Sequence, residues 1–90
     1  MVSEKVRVIN KEGMHMRPAG LIAQTCGLMK SSVRISYNGK FYDCKSIIML
    51  MSAGIGYGAE LEVIAEGEDE EEALKDVVDL FHAGLGDRTA

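Results

Sequence analysis

The dipeptide Asn38-Gly39 does more than any other feature to restrict what this chain can fold into. It sits between two runs that alternate apolar and polar residues, Val33-Arg34-Ile35-Ser36-Tyr37 and Lys40-Phe41-Tyr42-Asp43-Cys44. Both residues accept the positive φ that a two-residue hairpin turn demands, and the alternation marks half-buried strands. Such a turn pairs Tyr37 with Lys40, which sets Ile35 opposite Tyr42 and Val33 opposite Cys44. These side chains share one sheet face, the inner one, and Phe41 and Asp43 fall on the other.

The remaining elements follow from the same two periods. Val6 and Val8 alternate with Lys5 and Arg7 as a strand, and Leu61, Val63 and Ala65 alternate with Glu60, Glu62 and Ile64 as another. Ala19, Ile22, Cys26 and Met29 recur at helical spacing behind Pro18, a first-turn residue, and Gly27 weakens the far end. Ser46 and Gly54 bracket the apolar run Ile47-Ile48-Met49-Leu50-Met51, which suits a two-turn helix. Asp69 to Glu72 read as the cap and acidic first turn of a last helix. Ala73, Leu74, Val77, Val78 and Phe81 are its buried stripe and Gly84 its end. The order strand, helix, strand, strand, helix, strand, helix predicts a two-layer α/β (α+β) open-faced sandwich, with all three helices on one sheet face. With no repeat or linker in the sequence, residues 1–90 are expected to form a single domain.

Composition removes several classes of function. A net charge of −4 gives no overall support for holding nucleic acid or an acidic membrane. No apolar stretch approaches the ~20 residues of a membrane span. The start, Met1-Val2-Ser3-Glu4-Lys5, lacks the apolar region of a signal peptide, so the expected location is the reducing cytosol, with no membrane insertion. Cys26 and Cys44, without a CxxC or a histidine at metal spacing, read as buried hydrophobes and not as ligands. Neither a metal nor another cofactor is expected. Gly54, Gly56 and Gly58 precede a strand, which fails the test for a nucleotide loop. The acids from Glu68 to Glu72 are a helix start, and His82 is a histidine at a helix C-terminus.

The chemistry lies in Gly13-Met14-His15-Met16-Arg17-Pro18-Ala19. His15 stands where a loop enters a helix, so the unpaired N–H groups of the first turn favour an anion beside it. Arg17 offers a permanent charge and forked donors for phosphate oxygens. An unperturbed imidazole, with a pKa of about 6.5, is mostly neutral and nucleophilic at cytosolic pH. From those residues alone, a surface histidine capping a helix is the simpler reading.

The segment resembles the active-site signature GxHxRPA of the histidine-containing phosphocarrier family HPr, of the phosphoenolpyruvate:sugar phosphotransferase system. Lys45-Ser46-Ile47 followed by Met51-Ser52 and Gly54 resembles the same family's regulatory serine region, and the element order agrees from end to end. The resemblance implies a four-stranded antiparallel sheet covered on one face by three helices. It also implies a carrier, not an enzyme: His15 takes phosphate from enzyme I and hands it to the IIA domains of sugar permeases, and Arg17 positions and neutralises the group. By the same resemblance Ser46 is a site for an HPr kinase/phosphorylase, its product serving a catabolite-control transcription factor.

The run after Ser46 adds a physical argument. A two-turn helix on a sheet buries about half its circumference, so the core absorbs about three of five consecutive apolar residues and the rest face water or a partner. Ile47, Ile48 and Met51, with Met16 and Leu21 on the first helix, are the docking residues this reading names. Met16, Met49 and Tyr57 depart from the residues frequent in the family and bear on partner choice and transfer rate. A shuttle that presents His15 to successive partners is most simply a monomer. Two rival readings remain: a regulatory binding module in carbon catabolite or nitrogen control, acting through Ser46 or partner docking, and a small metal or ligand carrier.

Overall fold

In a computed structural model, which describes residues 1–87, the order is β1 (Val2–Arg7), α1 (Met16–Gly27), β2 (Ser32–Tyr37), β3 (Lys40–Asp43), α2 (Ile47–Ser52), β4 (Glu60–Glu66) and α3 (Glu70–His82). The last three residues of the expected 1–90 unit lie outside this range. The strands form one antiparallel sheet in the order β1-β4-β2-β3. Asn38 and Gly39 turn the hairpin with φ of 51° and 78°, and the register is the expected one, Tyr37 with Lys40 and Ile35 with Tyr42. Cys44 lies just past β3, and its N–H donates to Val33 O at 2.9 Å.

The inner face carries Val6, Val33, Ile35, Leu61, Val63 and Ala65. Ala19, Ile22 and Cys26 of α1, Leu50 of α2, and Ala73, Val77, Val78 and Phe81 of α3 complete the core. Cys26 and Cys44 are free, buried thiols. Interaction with Cys26, together with burial, pushes the Cys44 thiol well above its ordinary range. The outer face is polar, as in the Arg7–Glu60 ion pair at 2.9 Å and the stacking of Arg34 on Phe41 at 5.5 Å. Ile64 is buried on that outer face, flanked across the ladders by Ser3 and Arg34.

Four expectations need correction. Met29 lies beyond α1, which stops at Gly27, and packs on the core from the following loop. Leu74 is only partly buried, and Leu85, past the end of α3, takes a fully buried place instead. In α2 the core absorbs Leu50 alone and leaves Ile47, Ile48, Met49 and Met51 exposed. Asp69 holds the N-cap position of α3, yet its side chain makes no cap bond. Its carboxylate accepts from Lys30 N at 3.0 Å, Ser31 N at 2.8 Å and Ser31 Oγ at 2.5 Å, tying α3 to the start of β2.

These bonds, Ser31 Oγ foremost, hold the Asp69 carboxyl down to about 2 from an ordinary 3.8. A carboxyl depressed on folding stabilises the fold above its unfolded value, and the contribution is lost as pH falls through the folded one. Stability is therefore expected to decline between about pH 4 and pH 2, and Asp69→Asn to flatten that part of the decline. Denaturation midpoints measured across this interval check it; a variant curve parallel to the parent's refutes the assignment.

Candidate functional site

His15 is the N-cap residue of α1, in extended backbone at φ −113° and ψ −170°. Its side chain makes no cap bond, so the capping alternative holds for its backbone position only. Three structures hold the loop that carries it. Gly13 has φ +68°, and a Cβ there would come within 2.6 Å of Ile55 O, so glycine alone fits. Met14 is buried and its N–H donates to Ile55 O at 2.9 Å. The glycine-rich segment after α2 is thus a floor under the His15 loop, pinned to the residue just past β1 by Gly58 N to Val8 O at 2.9 Å.

The third support comes from the other end of the chain. After α3, Gly84, Leu85 and Gly86 all adopt positive φ, of 80°, 56° and 80°. Leu85 plugs the core, its N–H donating to Leu80 O at 2.8 Å, and the left-handed turn brings Asp87 onto His15. Asp87 Oδ2 lies 2.5 Å from His15 Nε2 and 3.2 Å from Asn10 Nδ2. Its Oδ1 accepts from Arg17 Nη2, which also reaches Gly86 O at 3.2 Å. The Arg17 guanidinium first, and His15 after it, hold the Asp87 carboxyl down to about 2. Asp87 in turn raises Arg17 further above its already high range. An ionised carboxylate only accepts hydrogen bonds, so in the neutral ring it is Nε2 of His15 that carries the hydrogen and Nδ1 that keeps a lone pair.

Lys11, Glu12, His15, Arg17 and Asp87 line an open depression of about 370 Å³. Glu12 Oε2 stands 3.8 Å from His15 Nε2. The His15 side chain is 35% exposed and that of Arg17 69%, so both can be reached from solvent.

The structure therefore brings the two expected residues, His15 and Arg17, together, and adds Asp87 and Asn10, which sequence reasoning missed. Gly84 and Gly86 signal a turn but give no hint of where the acid after them goes. Ser46 lies apart, as the N-cap of α2, its hydroxyl accepting from Met49 N at 3.2 Å. Beside it Ile48 is 81% exposed, and Ile47, Met49 and Met51 are exposed too. Met16 is 68% exposed at the start of α1, the helix that packs along α2. Leu21 is half-buried, with Cδ2 3.4 Å from where a Cβ on Gly86 would stand, so it abuts the turn that carries Asp87. Among the described residues no helix is long and apolar enough to cross a membrane.

Residues 2–83 match the family model described as the PTS HPr component phosphorylation site. The chain belongs to the HPr family. HPr-C-His from Thermoanaerobacter tengcongensis is 38% identical and superposes with a TM-score of 0.92, over 98% of this chain and 99% of that one. The phosphocarrier protein HPr of Bacillus anthracis is 35% identical, with a TM-score of 0.84 over 89% of this chain and 95% of its own. Crh of Bacillus subtilis, a catabolite-repression protein found as a swapped dimer, is 40% identical over 92% and 95%, with a TM-score of 0.76. HPr proteins are phosphocarriers of the phosphotransferase system, and the four-stranded, three-helix sandwich is the HPr fold.

Proposed function

We propose that this chain takes a phosphoryl group on Nδ1 of His15 from phospho-enzyme I and passes it to the IIA domains of sugar permeases. The observation that carries the reading is the His15–Asp87 contact at 2.5 Å, which ties up Nε2 and leaves Nδ1 as the nucleophile. In the transfer the Nδ1 lone pair forms the new bond to phosphorus, and the bond to the donor breaks with its electrons leaving on the donor. The first amides of α1, those of Met16 and Arg17, have no partner within the helix and offer donors to the phosphoryl oxygens. Arg17 supplies the positive charge. The imidazole is then a good leaving group towards the next acceptor, so the chain is a substrate of two transfer partners and not a catalyst. Incubation with enzyme I and labelled phosphoenolpyruvate tests this: acid-labile, base-stable label is expected on His15, and no label with a competent enzyme I overturns it.

The apolar surface of Ile47, Ile48 and Met51, with Met16 beside the histidine and Leu21 behind it, is the docking face on this reading. Flexible methionines suit partners of different shape. Ile48→Glu is the cleanest probe, because a side chain this exposed contributes little to the core. Transfer from enzyme I is expected to slow by about tenfold or more, the size of a lost interface contact, with the denaturation midpoint unchanged. Parent-like transfer kinetics would remove Ile48 from the face.

Regulation through Ser46 is a second reading, favoured by one observation: the hydroxyl caps α2 at the edge of that same face. A phosphate there, set by an HPr kinase/phosphorylase, is tolerated at the helix start and adds charge to an apolar surface. It would hinder phosphoryl transfer and create a new face for a catabolite-control transcription factor. Residues 1–90 would act as one unit, in the cytoplasm and as a monomer, since successive partners need the same histidine.

A further inference from the structure

Asp87 has two carboxylate oxygens, and they are held very differently. Oδ2 accepts from His15 Nε2 and from Asn10 Nδ2. Asn10 is fully buried, and its Nδ2 also donates to Gly13 O at 2.8 Å, so this half of the carboxylate rests on the rigid loop beneath the site. Among the described residues Oδ1 meets Arg17 alone, on a side chain that is 69% exposed and free to turn outward. The Asp87 side chain itself is 9% exposed, fixed by the Leu85 plug and the left-handed turn before it.

Charge makes this asymmetry matter. Among the described residues the depression pairs two cations, Lys11 and Arg17, with two carboxylates, Glu12 and Asp87, so these give it no excess positive charge. A phosphoryl group on Nδ1 brings about two negative charges and three acceptor oxygens. It and Oδ1 cannot share one guanidinium without like-charge repulsion.

We propose that Asp87 is a positioning residue with one displaceable half: Oδ2 holds the His15 ring as the Nε2–H tautomer, and Oδ1 holds Arg17 until a phosphoryl group on Nδ1 takes the guanidinium over. The second half of this statement rests on the carrier reading above; the first does not. Breaking the Arg17–Asp87 pair offsets part of the attraction between Arg17 and phosphate. The phosphorylated state is then held less tightly, as a carrier that must give its cargo away requires.

Two substitutions separate the roles. In Asp87→Asn the amide oxygen can still accept from His15 and Asn10, while no charge is left for Arg17; Asp87→Ala removes both. Nitrogen-15 spectra of the imidazole, taken where the ring is neutral, are expected to give Nε2–H in the parent and the Asn variant and a tautomer mixture in the Ala variant. With enzyme I at a fixed phosphoenolpyruvate-to-pyruvate ratio, the Asn variant is expected to favour the phosphorylated form about two- to fivefold, the size of an exposed ion pair. A parent-like tautomer in Asp87→Ala overturns the positioning role, and a parent-like equilibrium in Asp87→Asn overturns the displacement. If enzyme I fails to label even the parent, the carrier reading falls separately. The tautomer spectra still decide the first role, and phosphoramidate, a chemical histidine phosphorylator, loads His15 for the second. There, Arg17 guanidinium signals unmoved by phosphorylation overturn the displacement.

Discussion

His15→Ala is expected to abolish phosphorylation by enzyme I and phosphoenolpyruvate completely, while the protein stays folded. The loss is total because the imidazole contributes the bond-forming atom, and neither Arg17, a cation, nor Asp87, an anion of the same sign as the phosphoryl group, can replace it. The fold is expected to survive because the ring is 35% exposed and its contacts are polar ones at the rim. Asp87 keeps Arg17 and Asn10 as partners, so no buried charge is orphaned. The measurement is label incorporation, read as acid-labile and base-stable radioactivity, beside a denaturation curve. Residual label of that stability in His15→Ala would move the acceptor to another nitrogen and refute the assignment.

What the sequence reveals about this molecule depends on how far apart the interacting residues stand. The β2–β3 register is legible because Asn38-Gly39 fixes it within a few residues. The pairing of His15 with Arg17 is legible for the same reason, reinforced by a motif confined to seven consecutive residues. In α2, Ser46 and Gly54 announce a short helix, but a run that is apolar on every side carries no record of which residue faces the core. Only the placement of α2 against α1 and the edge strand β3 decides that Leu50 is buried and its four neighbours are not. Asp69 shows the opposite failure: its local pattern reads as a cap, and a partner 38 positions away, Ser31, takes the carboxylate instead. Asp87 is the extreme case, reaching His15 across 72 positions of sequence through a turn whose direction no local signal gives.

Arg17→Ala is the second large effect, and it exposes how the site works as a unit. Transfer to His15 is expected to fall about a hundredfold, the size seen when one preorganised donor to a developing charge is removed. Arg17→Lys recovers part of this, because an ammonium keeps the charge but not the planar fork that suits phosphate oxygens. The alanine variant loses more than a donor, since Asp87 then faces the incoming phosphoryl group without its counter-charge. The Arg17→Ala, Asp87→Asn double variant is therefore expected to transfer faster than Arg17→Ala alone, although it lacks two site residues. Residues in one ion-pair network couple in this way, and a double-mutant cycle on initial transfer rates measures the coupling. Additive effects would mean that Asp87 and the phosphoryl group never compete for the guanidinium, and that the Asp87–Arg17 contact holds the turn after α3 and nothing more.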